Sequence, residues 1–362
     1  MRSVSSTVRQ LVQDGVPQVT WVADLMYNQD RRIPGLMIER PDLSWDAGQF
    51  VAGAGKVQIV WADDHGRSMI PQRLGDVFSP FGAELQIDVI LGAGVFSERV
   101  PVGRFVIEAV TDAQGRTLPF DGRMVTVGET FGLNLKDPLL RVTRDGFPFP
   151  TAAGSSSVWQ EIQSVSGMPV IRNLPDQTLP AGTVHEGDSS DVLSKLFDLL
   201  EAWPQVDASG LLTARPKAWP APVDQIGAVV SAPVSMDSSK TYNRVVVEGK
   251  AADNTPLYGY AEVTDGFLRV ANTDGTPSPY GRSLYRQSGG FLDTQSAVNA
   301  AARTLLDRVS RLRGVTREIE ERFNPLVELG DVRTFEDGAV RVAAIRHAGG
   351  VTTTTVEVPD AG

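Results

Sequence analysis

Three carboxylates stand close together at Glu318, Glu320 and Glu321. Paired carboxyl groups can cleave glycosidic bonds, one as the acid and the other as nucleophile or base. Glu318 and Glu320 fall on one face of a predicted strand, one strand repeat of about 6.5 Å apart. Any strand of alternating charges has that spacing, so it reads as a solvated or interface face rather than a catalytic pair. Gly53-Ala54-Gly55-Lys56 hints at a phosphate loop. The full motif needs a glycine where Phe50 stands and a hydroxyl side chain where Val57 stands, so nucleotide binding is not expected. The histidines are His65, His185 and His347, and none has a paired metal-ligand spacing. Asp63-Asp64-His65 groups ligand types, but it precedes Gly66 between two predicted strands and reads as an exposed turn. Gly154-Ser155-Ser156-Ser157 is not a nucleophile elbow and reads as a loop followed by a helix cap. With no cysteine, disulfides, cysteine metal sites and thiol nucleophiles are excluded. Trp21, Trp45, Trp61, Trp159, Trp203 and Trp219 are scattered, and read as core or interface anchors before sugar platforms. No catalytic, metal or cofactor residue is assigned.

The elements around these residues are mostly strands. Val315 to Phe323 alternates, with Val315, Ile319 and Phe323 on one face and Arg317 and Glu321 interleaved. Asn324-Pro325 breaks the run, and Gly330-Asp331 gives a second turn before a strand starting at Val332. Upstream, a short helix is predicted over residues 7–14, capped by Ser6 or Thr7 and stopped by Gly15. Strands are predicted at 19–25, 36–43, 56–62, 83–91, 102–111 and 122–127, with Ile87, Val89 and Leu91 sharing a face. So many strands without a long helix predict a barrel or sandwich.

From residue 128 to 227 the texture is mixed. Pro138 opens a predicted short helix over 137–142, and Ser157-x-x-Gln160 is a capping-box pattern before Trp159, Ile162 and Val165. Val192, Leu193, Leu196, Phe197, Leu200 and Trp203 predict a helix over 190–203, ended by Pro204. A short strand at 211–214 follows, then a linker over 216–222. Tyr242 to Gly249 is a strong strand. Residues 250–314 interrupt with glycine- and proline-punctuated loops and a helix over 294–312, striped by Val298, Ala301, Leu305, Val309 and Leu312. Strands at 340–347 and 351–358 flank a glycine turn at Ala348-Gly349-Gly350, and the polar β-branched Thr352 to Thr355 predicts a strand with one wet face.

A length of 362 residues gives a prior of two or three domains. Gly 35 and Pro 23 favour many short strands over long helices. The net charge of -10, with acids and bases interspersed and no basic stripe, disfavours duplex binding. No apolar run approaches the roughly 18 residues that span a bilayer, and the first residues lack the apolar core of a signal peptide. The expectation is a protein made in the cytoplasm with no membrane anchor. The fold class expected is β-rich α+β and multidomain, with two β-barrels separated by two smaller mixed α/β domains. The boundaries are 1–127 for the first barrel, 128–227 for the mixed domain, 228–249 with 315–362 for the second barrel, and 250–314 for the insertion.

Several phrases, in order, resemble the tail hub (baseplate hub) or minor tail protein of long-tailed phages of actinobacteria. They are Ile33-Pro34-Gly35-Leu36-Met37-Ile38-Glu39-Arg40 with Leu43-Ser44-Trp45-Asp46; Ser79-Pro80-Phe81-Gly82-Ala83-Glu84-Leu85; and Val100-Pro101-Val102-Gly103-Arg104-Phe105-Val106-Ile107. They continue with the helix ending in Trp203 before Gly210-Leu211-Leu212; Tyr242-Asn243-Arg244-Val245-Val246-Val247-Glu248-Gly249; and Asn324-Pro325-Leu326-Val327-Glu328-Leu329-Gly330-Asp331-Val332. Their order and spacing extend over nearly the whole chain.

The resemblance implies a homotrimer whose two tube-like β-barrels per chain form a pseudo-sixfold ring, adapting sixfold tail rings to a threefold tip. It implies a virion tail-tip location and no enzymatic activity. The implied partners are a hexameric distal tail protein, the tape-measure protein and tail-tip fibre or receptor-binding proteins, with phage DNA passing through without sequence-specific binding. The acidic balance would then suit a non-adhesive DNA exit channel. Trp45, Phe105, Trp203, Tyr242, Phe323, Pro325 and Asp331 are the structural or interface candidates. Some hub proteins continue into a fibre or a peptidoglycan-cleaving domain. Here the sequence reaches Gly362 just past the last predicted strand, so receptor binding and wall digestion are expected of other proteins. Two alternatives remain, a carbohydrate-binding or glycan-degrading tail-tip protein and the hub of a contractile injection machine.

Overall fold

The computed structural model describes residues 1–61, 68–227, 229–236, 238, 241–251, 253–288, 292–310, 315–336 and 338–357. The chain divides into two compact units. One comprises Met1–Ser231 and Ile319–Thr355, the other Ala232–Glu318 and Val356–Gly362.

The first unit opens with helix α1 (Ser6–Asp14), capped by the Ser5 hydroxyl, which accepts from the Val8 amide at 3.2 Å. Strands β1 (Gln18–Tyr27), β2 (Asp30–Asp46), β3 (Gly53–Trp61), β4 (Ala83–Ala93), β5 (Phe96–Phe120) and β6 (Arg123–Lys136) follow. They are all antiparallel, and their pairing runs β1–β4–β5–β6–β3–β2 and returns to β1. This closed cycle leaves none of the six with an edge along its whole length. One set of alternate residues fills its interior: Leu25, Ile59, Leu85, Ile87, Phe105 and Phe131 are almost wholly buried. Ile87, Val89 and Leu91 share that inner face, as the alternation predicts.

Two 3₁₀ turns, Pro138–Leu140 and Val142–Arg144, stand where the short helix is predicted. Next come β7 (Gly146–Ala152), α2 (Val158–Ser166), β8 (Val184–Asp188), α3 (Ser189–Leu199), β9 (Ala202–Val206) and β10 (Leu212–Pro216). Ser157 caps α2 by accepting from the Gln160 amide at 3.2 Å, and Trp159, Ile162, Leu193, Leu196 and Phe197 form a second apolar core. Helix α3 ends earlier than expected. Glu201 takes a left-handed φ of 51°, and Trp203 and Pro204 lie in β9, opposite Arg215 and Ala214. The chain reverses before the proline can act as the stop, and β9 with β10 forms a two-stranded ribbon.

Strands β11 (Asp224–Gln225) and β12 (Val229–Ser231) carry the chain to the second unit. There β13 (Val234–Met236) precedes β14 (Arg244–Lys250), β15 (Pro256–Glu262), β16 (Leu284–Ser288) and α4 (Gln295–Val309), and β17 (Val315–Arg322) leads out. β14 pairs antiparallel with β15 and parallel with β16. Sequence grouped this strand with the segment after 315, but its ladder partners are local. Helix α4, capped by Thr294, buries Val298, Ala302, Leu305 and Val309. It rides so close to β15 that a Cβ on Gly259 would lie 2.0 Å from the Val298 carbonyl oxygen. Leu312, expected to extend the stripe, lies outside the described residues.

In the first unit β18 (Val332–Phe335), β19 (Gly338–Ala348) and β20 (Val351–Glu357) complete the fold. β19 joins β18 to β20, and its Ala344–His347 stretch pairs with Leu43–Asp46 of β2, so the large sheet continues from the closed cycle. Gly349 and Gly350 both take positive φ, 59° and 81°, as a tight hairpin turn between β19 and β20 requires. Thr352 and Thr354 face inward, fully buried.

Candidate functional site

Five of the residues singled out by sequence, Trp45, Phe105, Phe323, Pro325 and Asp331, converge in the first unit where β2, β5 and β19 meet the 323–331 turn. The Trp45 ring lies 5.6 Å from that of Phe105 and 5.6 Å from the His347 imidazole. Phe323 stacks edge-on against His347 at 5.4 Å and tilts against Trp21 at 5.2 Å. Gly53 makes room for this cluster, since a Cβ there would press on Trp45, Phe105 and Asp137 at 3.2–3.3 Å. That is why glycine stands at this point of β3. Gly53-Ala54-Gly55-Lys56 is strand, hydrogen-bonded to β2 and β6, and not a phosphate loop.

Arg2 ties the N-terminal segment to this cluster. Its guanidinium lies over Trp45, 6.0 Å from the ring centre, and donates to the Val102 carbonyl at 2.6 Å and to the Pro325 carbonyl. Its backbone amide donates to Leu326 O at 3.0 Å. Burial lowers the Arg2 pKa, and Glu328 and Asp331 oppose that shift. Asp331 accepts the Glu328 amide at 2.8 Å and pairs with the Met1 amino group. Burial nevertheless raises its carboxyl above the usual range. Asn324 receives Thr352 Oγ1 as acceptor for its amide at 2.8 Å, and the same hydroxyl lies 3.0 Å from His347 Nδ1. Enclosed among aromatics, the imidazole is pushed down to about 3, so it is neutral at ordinary pH. Asp137, whose carboxylate caps the first 3₁₀ turn through the Leu139 amide at 2.8 Å, is pushed up to about 6 by burial.

The partly open cleft beside Arg2, Trp45, Phe105 and Asp137 has a volume of about 30 Å³, room for no more than about two water molecules. The node is thus a packed joint. Trp45, Phe105, Phe323, Pro325 and Asp331 meet there. Trp203 stands next to it, with the Arg215 and Arg341 guanidiniums 4.9 and 5.2 Å from its ring centre, and the Arg215 stem runs over Gly330. Tyr242 belongs to the second unit, where it stacks on Tyr285 at 5.1 Å. Sequence reading missed Arg2 and Asp137, because neither sits in a pattern that announces a distant partner.

The three carboxylates separate. Glu318 is exposed, Glu320 meets Ser231 Oγ at 3.3 Å, and Glu321 is buried against Arg333. Arg333 also takes Asp224 through two bonds of 2.7 and 2.9 Å, and these two acids raise its pKa despite burial. His185 is buried against Glu161 at 2.8 Å. His65 and its aspartates lie outside the described residues. Among the described residues no group of three metal-ligating side chains gathers, and no helix is long and apolar enough to cross a membrane.

No protein-family model and no curated protein matches the sequence. Solved structures do match in fold. A tail protein from Neisseria meningitidis MC58 aligns with a TM-score of 0.59 at 11% identity, over 94% of this chain and 97% of that one. The 43 kDa tail protein of prophage MuSo2 from Shewanella oneidensis aligns with a TM-score of 0.54 at 12% identity, over 94% and 99%. The β-rich fold is therefore that of these tail proteins along nearly the whole chain, as the resemblance in sequence led us to expect.

Proposed function

We propose that this protein is a structural component of a phage tail tip, a trimeric hub that adapts sixfold tail rings to a threefold tip. The observation that carries the reading is likeness of fold to two tail proteins over both their length and this chain's. The closed cycle β1–β4–β5–β6–β3–β2 supports reading the first strands as a tube-like barrel. On this reading β17 to β20, with β11 and β12, form a second tube-like barrel. Residues 137–216 and the segment with β14 to β16 and α4 are the two smaller domains. Three chains then give six barrels. The partners would be a hexameric distal tail protein, the tape-measure protein and tip fibres, and DNA would pass through an acidic lumen without sticking.

The candidate residues fit a scaffold role. Trp45, Phe105 and Phe323 are spent on core contacts, and Glu321 is tied up by Arg333. The test is the mass of the purified protein by light scattering. A species near three times the 39.0 kDa chain is expected. A monomer at every concentration, still monomeric when mixed with a distal tail ring, would overturn the hub.

A further inference from the structure

Among the described residues, one face of the second unit's three-stranded sheet carries exposed tyrosines. Helix α4 packs on the side of Val245 and Val247, which are buried. The opposite side carries Tyr258 and Tyr260, with 56% and 46% of their surface exposed. Both point the same way from β15, about 6.5 Å apart along the strand. The Tyr260 hydroxyl accepts from Arg244 Nε at 2.8 Å and donates to Glu262, and the Arg244 guanidinium covers one side of the ring 5.3 Å from its centre. The ring is held in place before any ligand arrives, which lowers the entropy cost of binding. On the same face Arg286 reaches Glu248 at 3.3 Å, with the arginine mostly exposed and the glutamate half-buried.

We propose that this face binds a linear saccharide lying along β15. The apolar faces of sugar rings would rest on Tyr258 and on the free side of Tyr260. Their hydroxyls would bond to the planar charged groups of Glu248, Arg286 and Glu262. The chemistry favours a sugar over a protein partner. A dry protein interface would have to strip water from two ion pairs beside the tyrosines, a desolvation that works against binding. Sugar hydroxyls can replace that water bond for bond. The two cross-strand pairs also balance in charge, which suits a neutral ligand. This inference does not depend on the trimeric hub.

The test is saturation-transfer NMR on the full chain with linear tetrasaccharides of glucose, galactose and N-acetylglucosamine. Transfer to ring C–H protons of at least one is expected. Tyr258→Ala should weaken it about tenfold, and Tyr258→Phe should keep it, because the stacking surface survives. Tyr258 is exposed, so circular dichroism should be unchanged in both variants. No transfer from any of the three sugars, or transfer unaffected by Tyr258→Ala, overturns the proposal. So does a fall in oligomeric mass in Tyr258→Ala without sugar binding, which would make the face a protein interface.

Discussion

Two buried groups at the joint titrate in opposite senses, and their effects on stability should nearly cancel. His347 is pushed down to about 3, so between there and its usual 6.5 the unfolded chain binds a proton that the fold refuses. Stability from this group is full above 6.5 and is lost as pH falls. Asp137 is pushed up to about 6, so between 3.8 and 6 the fold holds a proton that the unfolded chain releases. Stability from this group is full below 3.8 and is lost as pH rises. From pH 4 to 6 the pair should leave stability flat. Asp137→Asn should unmask the histidine, raising the slope of stability against pH by about 1.4 kcal/mol per unit over that window relative to the parent protein. His347→Phe, which keeps a ring against Trp45 and Phe323, should change the slope by a similar amount in the opposite sense. Urea melts at pH 4.5 and 5.5 measure both slopes. The Ser157 cap could be read in sequence because its partner is three residues away. Arg2 could not, because its carbonyl partner on Pro325 lies 323 positions along the chain.

At the scale of elements, the strands were legible wherever alternation was clean, as at Ile87, Val89 and Leu91. Their partners were not, because ladders form between segments that propensity treats one at a time. β14 has the pattern of any strong strand, and nothing in it names β15 and β16 as its ladder partners; α4 then approaches β15 closely at Gly259. That approach is testable. Gly259→Ala puts a methyl against the Val298 carbonyl and should cost at least about 1–3 kcal/mol. The loss should be confined to the second unit. All six tryptophans lie in the first unit, so their emission should report an unchanged midpoint while hydrogen exchange in β14, β15 and α4 speeds up. In the first unit the short β11 pairs in parallel with β18, and its Asp224 bonds Arg333, which also holds Glu321. Arg333→Ala leaves two buried carboxylates facing each other and should cost about 3–5 kcal/mol, read from the shift of the tryptophan transition in guanidinium. Replacing all three residues with apolar ones of similar volume should cost much less, because no charge is stranded.

For the whole molecule, composition announced a β-rich, acidic, multidomain protein. The closed pairing cycle could not be read from it, since β3 finds β6 across the intervening β4 and β5. The acidity bears directly on assembly. Each chain carries a formal net charge of -10, so three chains brought together repel one another unless their contacts are led by apolar burial. Screening reaches about 30 Å at 0.01 M salt and about 8 Å at 0.15 M, so raising salt over that range removes most of the repulsion and little of the apolar attraction. The proposed trimer should therefore tighten as salt rises, with its dissociation midpoint moving to lower protein concentration in light scattering. The opposite trend would mean that ion pairs across the interface outweigh the net charge. In that case basic residues of one copy must sit against acidic residues of the next, and the lumen could not be assumed to keep an unbroken acidic lining.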